Sequence, residues 1–498
     1  MRRVLLIGML VLATLVPAPA GTAAGADRPQ RVDFNGDDLD DLAIGVPGED
    51  LGVSADAGAV NVQYGSAAGP AGSGQVLTQA TPEDGDRFGA ALAKGRFNDD
   101  DFVDLAVGAP AEDIGRTDAA GAVTVFYGSV AGLAGPGDLL QQGNPESGDA
   151  FGATLDSADF NGDGVDDLAV GAPGEDVGRA VDAGAVTIFS GSAGGLGGAP
   201  AQNLFQANPE NGDRLGSALE AGPFDTGPAF DLAVGAPGET VALARAAGAV
   251  SVFYAGGAGL AGPGQTLLQD NPEAGDLFGT ALVSGSFRHN GSFDLAVGAP
   301  GEDVGARLDI GAVGVFLGQA GGITPGGPRT VTQREVGGAE ETGDQFGFSL
   351  AAGLYNGDDF YDLAIGVPGE DIGTVTDAGA VNTMHGSAGG LAGTGGALFQ
   401  GDNALGDVVE PNDRFGQSLA KGIFFNNFNG DVFDDLAVGV AQEDVGDRPD
   451  AGLVNLLEGS SFGLQGSNTV LFQGADLGGG ARVGGSAEAG DALGATVE

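Results

Sequence analysis

Apolar side chains occur along this chain in short runs that are separated by turns rich in glycine and aspartate. In Leu168-Ala169-Val170-Gly171 large side chains alternate with small ones, which is the period of a β-strand. A second kind of run, such as residues 120–128, reads as another strand that ends at a turn glycine. The pattern predicts an all-β chain in which large side chains meet small ones between neighbouring sheets.

The apolar runs belong to a repeat. The string Asp-Leu-Ala-Val-Gly-Ala-Pro-Gly-Glu-Asp stands at residues 167–176, and its relatives recur through the chain at intervals of about 63 residues that lengthen towards the end. Its leucine is found at Leu42, Leu105, Leu168, Leu232, Leu295, Leu363 and Leu436. A second string, Phe-Gly or Leu-Gly followed by small residues, opens each unit at Phe88, Phe151, Leu215, Phe278, Phe346, Phe415 and Leu493. With the two later runs, each unit supplies four strands.

The two ends of the repeat are complementary. The first unit begins near Asp33 without an opening strand, and the chain ends on an opening strand, residues 491–498, without the rest of its unit. Pairing the two would complete the first unit and remove the exposed sheet edges. The sequence therefore predicts a seven-bladed β-propeller of four-stranded antiparallel blades over residues 27–498, closed by the C-terminal strand.

Composition agrees with this fold and narrows the function. The chain of 498 residues has 97 glycines and only 6% aromatic residues, which suits tight turns and short strands better than helices. Its formal charge is −50, and this charge repels phosphate backbones and anionic lipid. We therefore expect no nucleic-acid partner, and the absence of cysteine excludes thiolate chemistry.

The N-terminus predicts secretion. Arg2 and Arg3 precede an apolar run that ends near Val16 and is too short to cross a bilayer, and small residues follow it to Ala26. This is typical of a signal peptide, here residues 1–26, cleaved after Ala20, Ala24 or Ala26; a short N-terminal anchor is the alternative. No later segment is apolar for long enough to span a membrane, so the expected location is extracellular or on the cell surface.

Acidic loops between the first and second strands carry the pattern of a calcium site, because hard oxygens at alternate positions of a tight turn can converge on one ion. In the first unit the side chains of Asp33, Asn35, Asp37 and Asp41 and the carbonyl of Leu39 have this spacing. The third unit repeats it with Asp159, Asn161, Asp163, Asp167 and the carbonyl of Val165. The seventh offers Asn427, Asn429, Asp431, Asp435 and the carbonyl of Phe433, with less negative charge and weaker expected binding.

The other loops are less complete. The sixth keeps Asn356, Asp358, Asp362 and the carbonyl of Phe360 but has Leu354 at the first position, and the second has Arg96 there. The fourth and fifth loops, residues 223–231 and 286–294, have lost most ligands. The alternative is that all of these acidic stretches are only turns in which aspartate and asparagine bond their own backbone.

Taken together, Phe-Gly and Gly-Ala-Pro strings in seven tandem units with acidic loops resemble the FG-GAP repeats of integrin α-subunit heads, over residues 31–498. The resemblance implies a seven-bladed propeller with structural calcium in its hairpin loops. Integrin leg domains, a transmembrane helix and a cytoplasmic tail are not found here. A heterodimer of the integrin type is therefore not expected, and we expect a monomer.

A second acidic series follows each second strand, as in Glu175, Asp176 and Asp182, and it must emerge on the same side as the connections between units. By propeller analogy that side would receive a ligand, an extracellular protein or glycan. The alternative is a solvated rim that prevents aggregation.

Catalysis is less favoured. Residues 459–463 read Gly-Ser-Ser-Phe-Gly, the spelling of a nucleophile elbow, but they align with a hairpin loop, residues 128–132. His289 and His385 are the only imidazoles. We therefore expect a binding or adhesion module and no enzyme, with a secreted hydrolase or a purely structural surface protein as alternatives.

Overall fold

The structure is a computed structural model that describes residues 32–65, 74–257, 259–324, 326–401, 405, 408–420, 433–473, 481–484 and 486–497. It is an all-β, seven-bladed propeller of four-stranded antiparallel blades, as the repeat predicts. The predicted signal peptide, residues 1–26, lies outside the described residues. In the described part of the chain the one helix is a short 3-10 turn, Gln333–Val336, and no helix is long and apolar enough to cross a membrane.

The strands follow the repeat from blade to blade. Blade 1 has β1 (Leu42–Val46), β2 (Ala59–Gln63) and β3 (Gln75–Leu77). Blade 2 has β4 (Ala91–Gly95), β5 (Asp104–Ala109), β6 (Ala122–Tyr127) and β7 (Ala134–Leu140). Blade 3 has β8 (Thr154–Ala158), β9 (Asp167–Ala172), β10 (Ala185–Phe189) and β11 (Gln202–Leu204). Blade 4 has β12 (Ala218–Gly222), β13 (Asp231–Ala236), β14 (Ala249–Phe253) and β17 (Gln265–Leu267), with a small hairpin of β15 (Ala255–Gly256) and β16 (Gly259–Leu260).

The remaining blades have the same order. Blade 5 has β18 (Leu282–Gly285), β19 (Asp294–Ala299), β20 (Ala312–Phe316) and β23 (Arg329–Val331), with a hairpin of β21 (Gly318–Gln319) and β22 (Gly322–Ile323). Blade 6 has β24 (Leu350–Gly353), β25 (Asp362–Val367), β26 (Ala380–His385) and β27 (Ala392–Leu398). Blade 7 has β28 (Ser418–Leu419), β29 (Leu436–Val440), β30 (Leu453–Glu458) and β31 (Gln465–Gln473), and β32 (Ala481–Val483) adds to it in parallel.

Neighbouring blades pack face to face. First strands of successive blades contact one another, as β4 contacts β8 and β8 contacts β12, so these strands line the centre of the ring. Second strands such as β9 are buried at every position, which agrees with the predicted meeting of large and small side chains. The close approach requires glycine: a Cβ at Gly45 in blade 1 would lie 2.1 Å from the carbonyl oxygen of Gly89 in blade 2.

The ring is closed by the C-terminal residues, as predicted. The N–H of Gly45 donates to the carbonyl of Thr496 (2.9 Å), the N–H of Gly494 donates to the carbonyl of Gly45 (3.0 Å), and Ile44 pairs with Val497. On its other side this segment meets blade 7, where a Cβ at Gly439 would lie 1.8 Å from the carbonyl oxygen of Gly494. The segment thus completes blade 1 and supplies the same glycine contact that joins the other blades.

The fold separates two sides of the ring. Loops between the first and second strands and between the third and fourth strands form one side, which we call the hairpin face. Loops between the second and third strands form the other side together with the connections between blades, and we call it the acidic face. Backbone bonds such as Gly85 N–H to Ala55 carbonyl (2.8 Å) and Gly212 N–H to Val181 carbonyl (2.9 Å) join its two sets of loops, as the strand directions predict.

Candidate calcium loops and the acidic face

The first-blade loop is folded by its own aspartates. Asp33 Oδ1 accepts from the N–H groups of Gly36 (2.6 Å) and Asp37 (3.2 Å), and Oδ2 accepts from Asp38 (2.9 Å). Asn35 Oδ1 accepts from Asp37 N–H at 2.9 Å. These bonds wrap the backbone around the carboxylates, which is possible because Gly36 and Asp38 take positive φ angles of 73° and 66°.

The third-blade loop repeats this arrangement bond for bond. Asp159 accepts from Gly162, Asp163 and Gly164 at 2.7–3.1 Å, and Asp163 Oδ1 accepts from Val165 N–H at 3.0 Å. The side chain of Asn161 differs slightly from that of Asn35, since its Nδ2 donates to Asp167 Oδ1 at 3.1 Å. Two loops that are distant in sequence therefore present the same predicted ligands in the same backbone frame.

The last aspartate of each loop has a role that the sequence did not reveal. Its Oδ1 accepts a backbone N–H from the start of the loop that follows the third strand, for example Asp167 from Gly191 at 3.0 Å and Asp41 from Gly65 at 2.8 Å. All seven blades have this bond, through Asp41, Asp104, Asp167, Asp231, Asp294, Asp362 and Asp435. The residue therefore ties two hairpins together even where the other ligands are lost.

Burial makes these carboxylates costly to ionise without a cation. Desolvation is the largest cause that raises the pKa of Asp41 to about 7, and the neighbouring Asp33 and Asp37 raise it further. Burial likewise raises the pKa of Asp167 to about 6, with contributions from Asp163 and Asp159. In both loops backbone N–H donors oppose the shift. A bound cation would favour the ionised form of these groups.

The donor sets of the first and third loops fit calcium by chemistry, since each offers three carboxylates, an amide and a carbonyl in nine residues. In the described residues no three acidic or histidine side chains are gathered closely enough to form a ready metal cluster. The loops therefore provide the ligand types and the backbone frame, and the carboxylates would draw together around the ion.

The fifth loop holds a cation of its own. Arg288 stands where the third loop has Asn161, six residues before the buried aspartate. Its Nε lies 3.1 and 3.0 Å from the two carboxylate oxygens of Asp294, and its Nη2 lies 2.6 Å from Oδ1. Nη2 also donates to the carbonyl of Gly318 at 2.6 Å. A guanidinium thus binds the aspartate that a metal would bind in the complete loops.

The sixth loop is intermediate. Asn356 Nδ2 donates to Asp362 Oδ1 at 3.2 Å, and His385 Nδ1 lies 3.4 Å from the same oxygen. Asp358 Oδ1 accepts from the N–H of Phe360 at 2.8 Å, as in the complete loops. The first position, Leu354, contributes its backbone N–H to Asp434 at 2.7 Å and no oxygen ligand.

The second loop keeps Asn98 and Asp100, whose side chains accept from the N–H groups of Asp100 and Phe102 as in the sixth loop, but has Arg96 at the first position. Both the second and fourth loops keep the tie of the last aspartate. Asp104 accepts from the N–H groups of Phe97 and Gly128, and Asp231 accepts from those of Asp225 and Ala255. In the seventh loop Asn427, Asn429 and Asp431 lie outside the described residues. Asp435 is buried there, and Phe433 lies two residues before it.

A ring of mostly half-buried amide–carboxylate contacts lies on the acidic face, and the predictions from the sequence do not include it. A glutamine at or just after the end of the fourth strand of one blade donates to the glutamate after the second strand of the next. The pairs are Gln79–Glu112, Gln142–Glu175, Gln206–Glu239, Gln269–Glu302, Gln333–Glu370, Gln400–Glu443 and Gln473–Glu49. The last pair joins blade 7 to blade 1. The signal in the sequence that could have predicted this ring is a glutamine that recurs at the same interval as the glutamates.

The glutamates of this ring resist ionisation. Burial is the largest cause that raises the pKa of Glu112 to about 7; the Gln79 amide lowers it, and the carboxylates of Asp86 and Glu83 raise it. Glu175 and Glu239 are raised to about 7 for the same reasons. At these junctions between blades, burial therefore holds the pKa of the glutamate carboxyl above its ordinary value.

The residues considered for catalysis serve the fold. Ser460 Oγ donates to the carbonyl of Gly463 at 2.8 Å, and Ser129, Ser192 and Ser387 make the same bond in their blades. The Gly-Ser-Ser-Phe-Gly string is thus the predicted hairpin loop. His289 packs its ring edge-on against Phe360, with the centroids 6.0 Å apart.

Comparison with known proteins agrees with this architecture. The FG-GAP repeat model matches residues 31–62, 88–126, 151–189 and 346–381. The chain is 38% identical over 149 residues to integrin alpha-PS5 of Drosophila melanogaster, covering 28% of this chain and 14% of the relative. It is 39% identical over 132 residues to integrin alpha-3 of Cricetulus griseus, covering 26% of this chain and 11% of the relative.

A different kind of relative matches through the same repeats. Phosphatidylinositol-glycan-specific phospholipase D of Homo sapiens is 34% identical over 179 residues, covering 34% of this chain and 21% of the relative. The chain thus spans about a fifth or less of each of these relatives' lengths. The solved Dos1 propeller aligns over 66% of this chain and 61% of that one, with a TM-score of 0.35 and 12% identity, which is too low to inform function.

Proposed function

We propose that this chain of FG-GAP repeats, an integrin α-like propeller, is a secreted extracellular binding module whose acidic face receives a protein or glycan ligand. The observation that carries the proposal is that the acidic face keeps its backbone frame where its side chains change. The turn pair Val177–Ala180 of blade 3 recurs as Val241–Ala244 in blade 4, although Thr240 replaces Asp176 there. Rigid scaffolds with variable loops are the usual setting for recognition.

Calcium belongs to the proposal as a structural ion of the hairpin face. Asp33, Asn35, Asp37 and Asp41 would hold it in the first blade, and the matching four side chains would hold it in the third. When bound, the ion would supply the positive charge that these buried carboxylates lack. It would thereby fix the loops far from the acidic face, and no part of ligand binding is assigned to it.

Hydrolysis is the rival function, because relatives with a phospholipase name share the repeats. What opposes it is local: the elbow-like string, whose nucleophile position would be Ser461, joins two strands of a hairpin and is closed by Ser460 Oγ on the Gly463 carbonyl, whereas a nucleophile elbow joins a strand to a helix. The matched segments also leave most of the phospholipase relative outside this chain. A generic esterase and phosphodiesterase assay therefore accompanies the binding test.

The test is a screen of the purified chain, with calcium present, against arrays of extracellular proteins and glycans. The variant Glu175→Gln, Asp176→Asn, Asp182→Asn replaces three acidic side chains of the acidic face by amides and should weaken the binding found, with little change in melting temperature. The control Asp99→Asn, Asp101→Asn, Asp359→Asn removes three exposed charges from the hairpin face and should bind like the parent. Equal binding by all three proteins, or turnover in the hydrolase assay, would contradict the proposal.

A further inference from the structure

The loop after the second strand of blade 4 departs from the other six. In each of the others, two or more aspartates follow the glutamate before the turn ends, as Asp176 and Asp182 do in blade 3. The blade 4 loop, residues 237–248, has none: it places Thr240 and Ala246 at those two positions and Arg245 beside them. The acidic face is therefore interrupted at one blade.

The shape of this loop is unchanged. Val241 and Ala244 pair across its turn as Val177 and Ala180 do in blade 3, and Gly248 N–H donates to the carbonyl of Glu239 at 3.1 Å. Ala242 keeps a φ of 58° at a position where every other loop has glycine. A backbone that is conserved under altered side chains indicates that the changes do not serve folding.

The altered side chains line a pocket of about 800 Å³ on the acidic face, between the blade 3 loop and the first residues of blade 5. Arg214 and Arg245 both line it, together with Thr240, Asn211 and Leu277. Neither guanidinium takes part in an ion pair within the described residues, although the chain has 69 acidic side chains against 19 basic ones. Asp182 and Glu210 also line the pocket.

Apolar side chains are exposed around the same blades. Leu243, at the tip of the blade 4 loop, is 95% exposed, and Leu277 in the pocket is 38% exposed. Val181, Val304 and Leu308 are exposed on the flanking loops of blades 3 and 5. On the described loops of the acidic face in the other blades, the exposed large apolar side chains are Val53 and Val408. Aliphatic side chains beside uncommitted arginines are the chemistry of a protein interface.

We propose that this pocket binds an extended segment of a partner protein that presents one carboxylate next to an aliphatic side chain. The carboxylate pairs with Arg214 and Arg245, and the aliphatic side chain packs on Leu243 and Leu277. This deepens the proposed function and rests on it, since it names the class of ligand for the acidic face. A polyanion is disfavoured because the surrounding loops are acidic, and a glycan is disfavoured because no aromatic side chain lines the pocket.

The probe is a phage-displayed library of random peptides, about twelve residues long, selected on the whole chain in calcium at about 2 mM, which exceeds the dissociation constants of extracellular calcium modules. Selected peptides should pair Asp or Glu with Leu, Ile or Val. Arg245→Glu and Arg214→Glu should each weaken a selected peptide by about tenfold or more, as expected for a lost charge contact. Arg116→Glu, the same change on the blade 2 loop outside the pocket, should leave binding unchanged. A selected peptide in which Lys replaces the acidic residue should bind the Arg245→Glu protein more tightly than it binds the parent protein.

Several results would overturn the inference. If an oligogalacturonate displaced the selected peptides, depended on Arg245 for binding and bound more tightly than any peptide, the pocket would be a glycan site. Selection of basic peptides that still bind the Arg245→Glu protein but do not bind the Glu175, Asp176, Asp182 variant would agree with the proposed function and refute the proposed role of the pocket. The absence of any selected peptide would refute the pocket as well, whereas binding of no protein or glycan in the earlier screen would refute the function itself.

Discussion

In the third and fifth blades an equivalent buried aspartate has different charged neighbours. Both bury an aspartate at the base of the first hairpin loop, Asp167 and Asp294, and both bond it to the following hairpin. In the third blade the aspartate is surrounded by further carboxylates, and burial raises its pKa to about 6. In the fifth blade Arg288 forms a bidentate pair with it, and the neighbouring carboxylate positions are Ser286 and Asn290.

This difference explains why the fifth loop can lack the other carboxylates. A buried carboxylate needs a compensating charge, which can be an external ion or a covalently attached guanidinium. Where the guanidinium is present, additional aspartates would serve no purpose, and the fifth loop lacks them. The third loop keeps the aspartates, and within the described residues none of them forms an ion pair with a basic side chain, so under the proposed function a cation from solution compensates them.

The largest expected effect comes from opening the ring in which both loops sit. Deleting residues 491–498 removes the strand that pairs with β1 and leaves an unpaired edge. We expect aggregation or loss of the cooperative melting transition, with and without calcium alike. Measurement by calorimetry and light scattering would contradict the closure if the truncated chain melted like the parent.

Breaking the built-in pair comes next. Arg288→Met removes the guanidinium, which is 18% exposed, and leaves Asp294, which is 1% exposed, without its cation. Removing one partner of such a pair costs about 3–5 kcal/mol. Urea denaturation should show this loss equally in calcium and in chelator.

The control for this pair is Arg288→Lys, which keeps the charge but not the two-point geometry and should give an intermediate loss. A loss that appeared only in chelator would mean that calcium, not Arg288, stabilises the fifth loop.

Removing calcium tests the other side of the comparison. A site held at one hundred times its dissociation constant stabilises the folded state by about 2.7 kcal/mol, so chelation should lower the melting temperature visibly. Asp163→Ala should abolish the third-blade share of this shift, while Asp225→Ala in the fourth loop should leave it unchanged. Asp163 is preferred to Asp167 as the target, because Asp167 also bonds Gly191 without any metal.

Magnesium should restore little of the shift, since its octahedral demand suits these loops poorly. Melting curves that coincide in calcium and chelator would reject the calcium assignment and leave the loops as aspartate turns. In that case Arg288 in the fifth blade would still compensate its buried carboxylate, because this cation does not come from solution.

The smallest effect concerns pH at the junctions between blades. The folded-state pKa of Glu112, about 7, exceeds its ordinary value of 4.5, so its stabilising contribution is complete below pH 4.5 and is lost as pH rises through 7. Glu112→Gln should therefore gain stability relative to the parent between about pH 5 and pH 8, by less than about 1 kcal/mol because the group is partly solvated. Variant and parent are compared at each pH in the same calcium concentration, so that the pH dependence of the hairpin-loop carboxylates, which both proteins share, cancels.

Asp118→Asn removes an exposed charge from the same blade 2 loop and serves as the matched control. Its stability relative to the parent should stay constant over the same pH range. A constant difference for Glu112→Gln as well would show that the junction carboxyl is ionised at no cost.

The repeat determined most of the fold and much of the hairpin face. Leu42 and its six counterparts placed the second strands, Leu493 placed the closing segment, and the aspartate spacing placed the loops of the first and third blades. These features are local or periodic, so a single unit contains the information and the copies confirm it. Calcium itself stays a prediction, as do secretion and the ligand.

Tertiary structure decided the contacts that join residues far apart in the chain. Gln79 meets Glu112 only because one blade packs on the next, and Gln473 meets Glu49 only because the ring closes. Arg288 is close in sequence to Asp294, but its role depends on the buried position of that carboxylate and on the carbonyl of Gly318. The sequence by itself determined which units repeat, because strand and turn preferences are local. Burial determined which charges need partners, because desolvation exists only after the blades have packed.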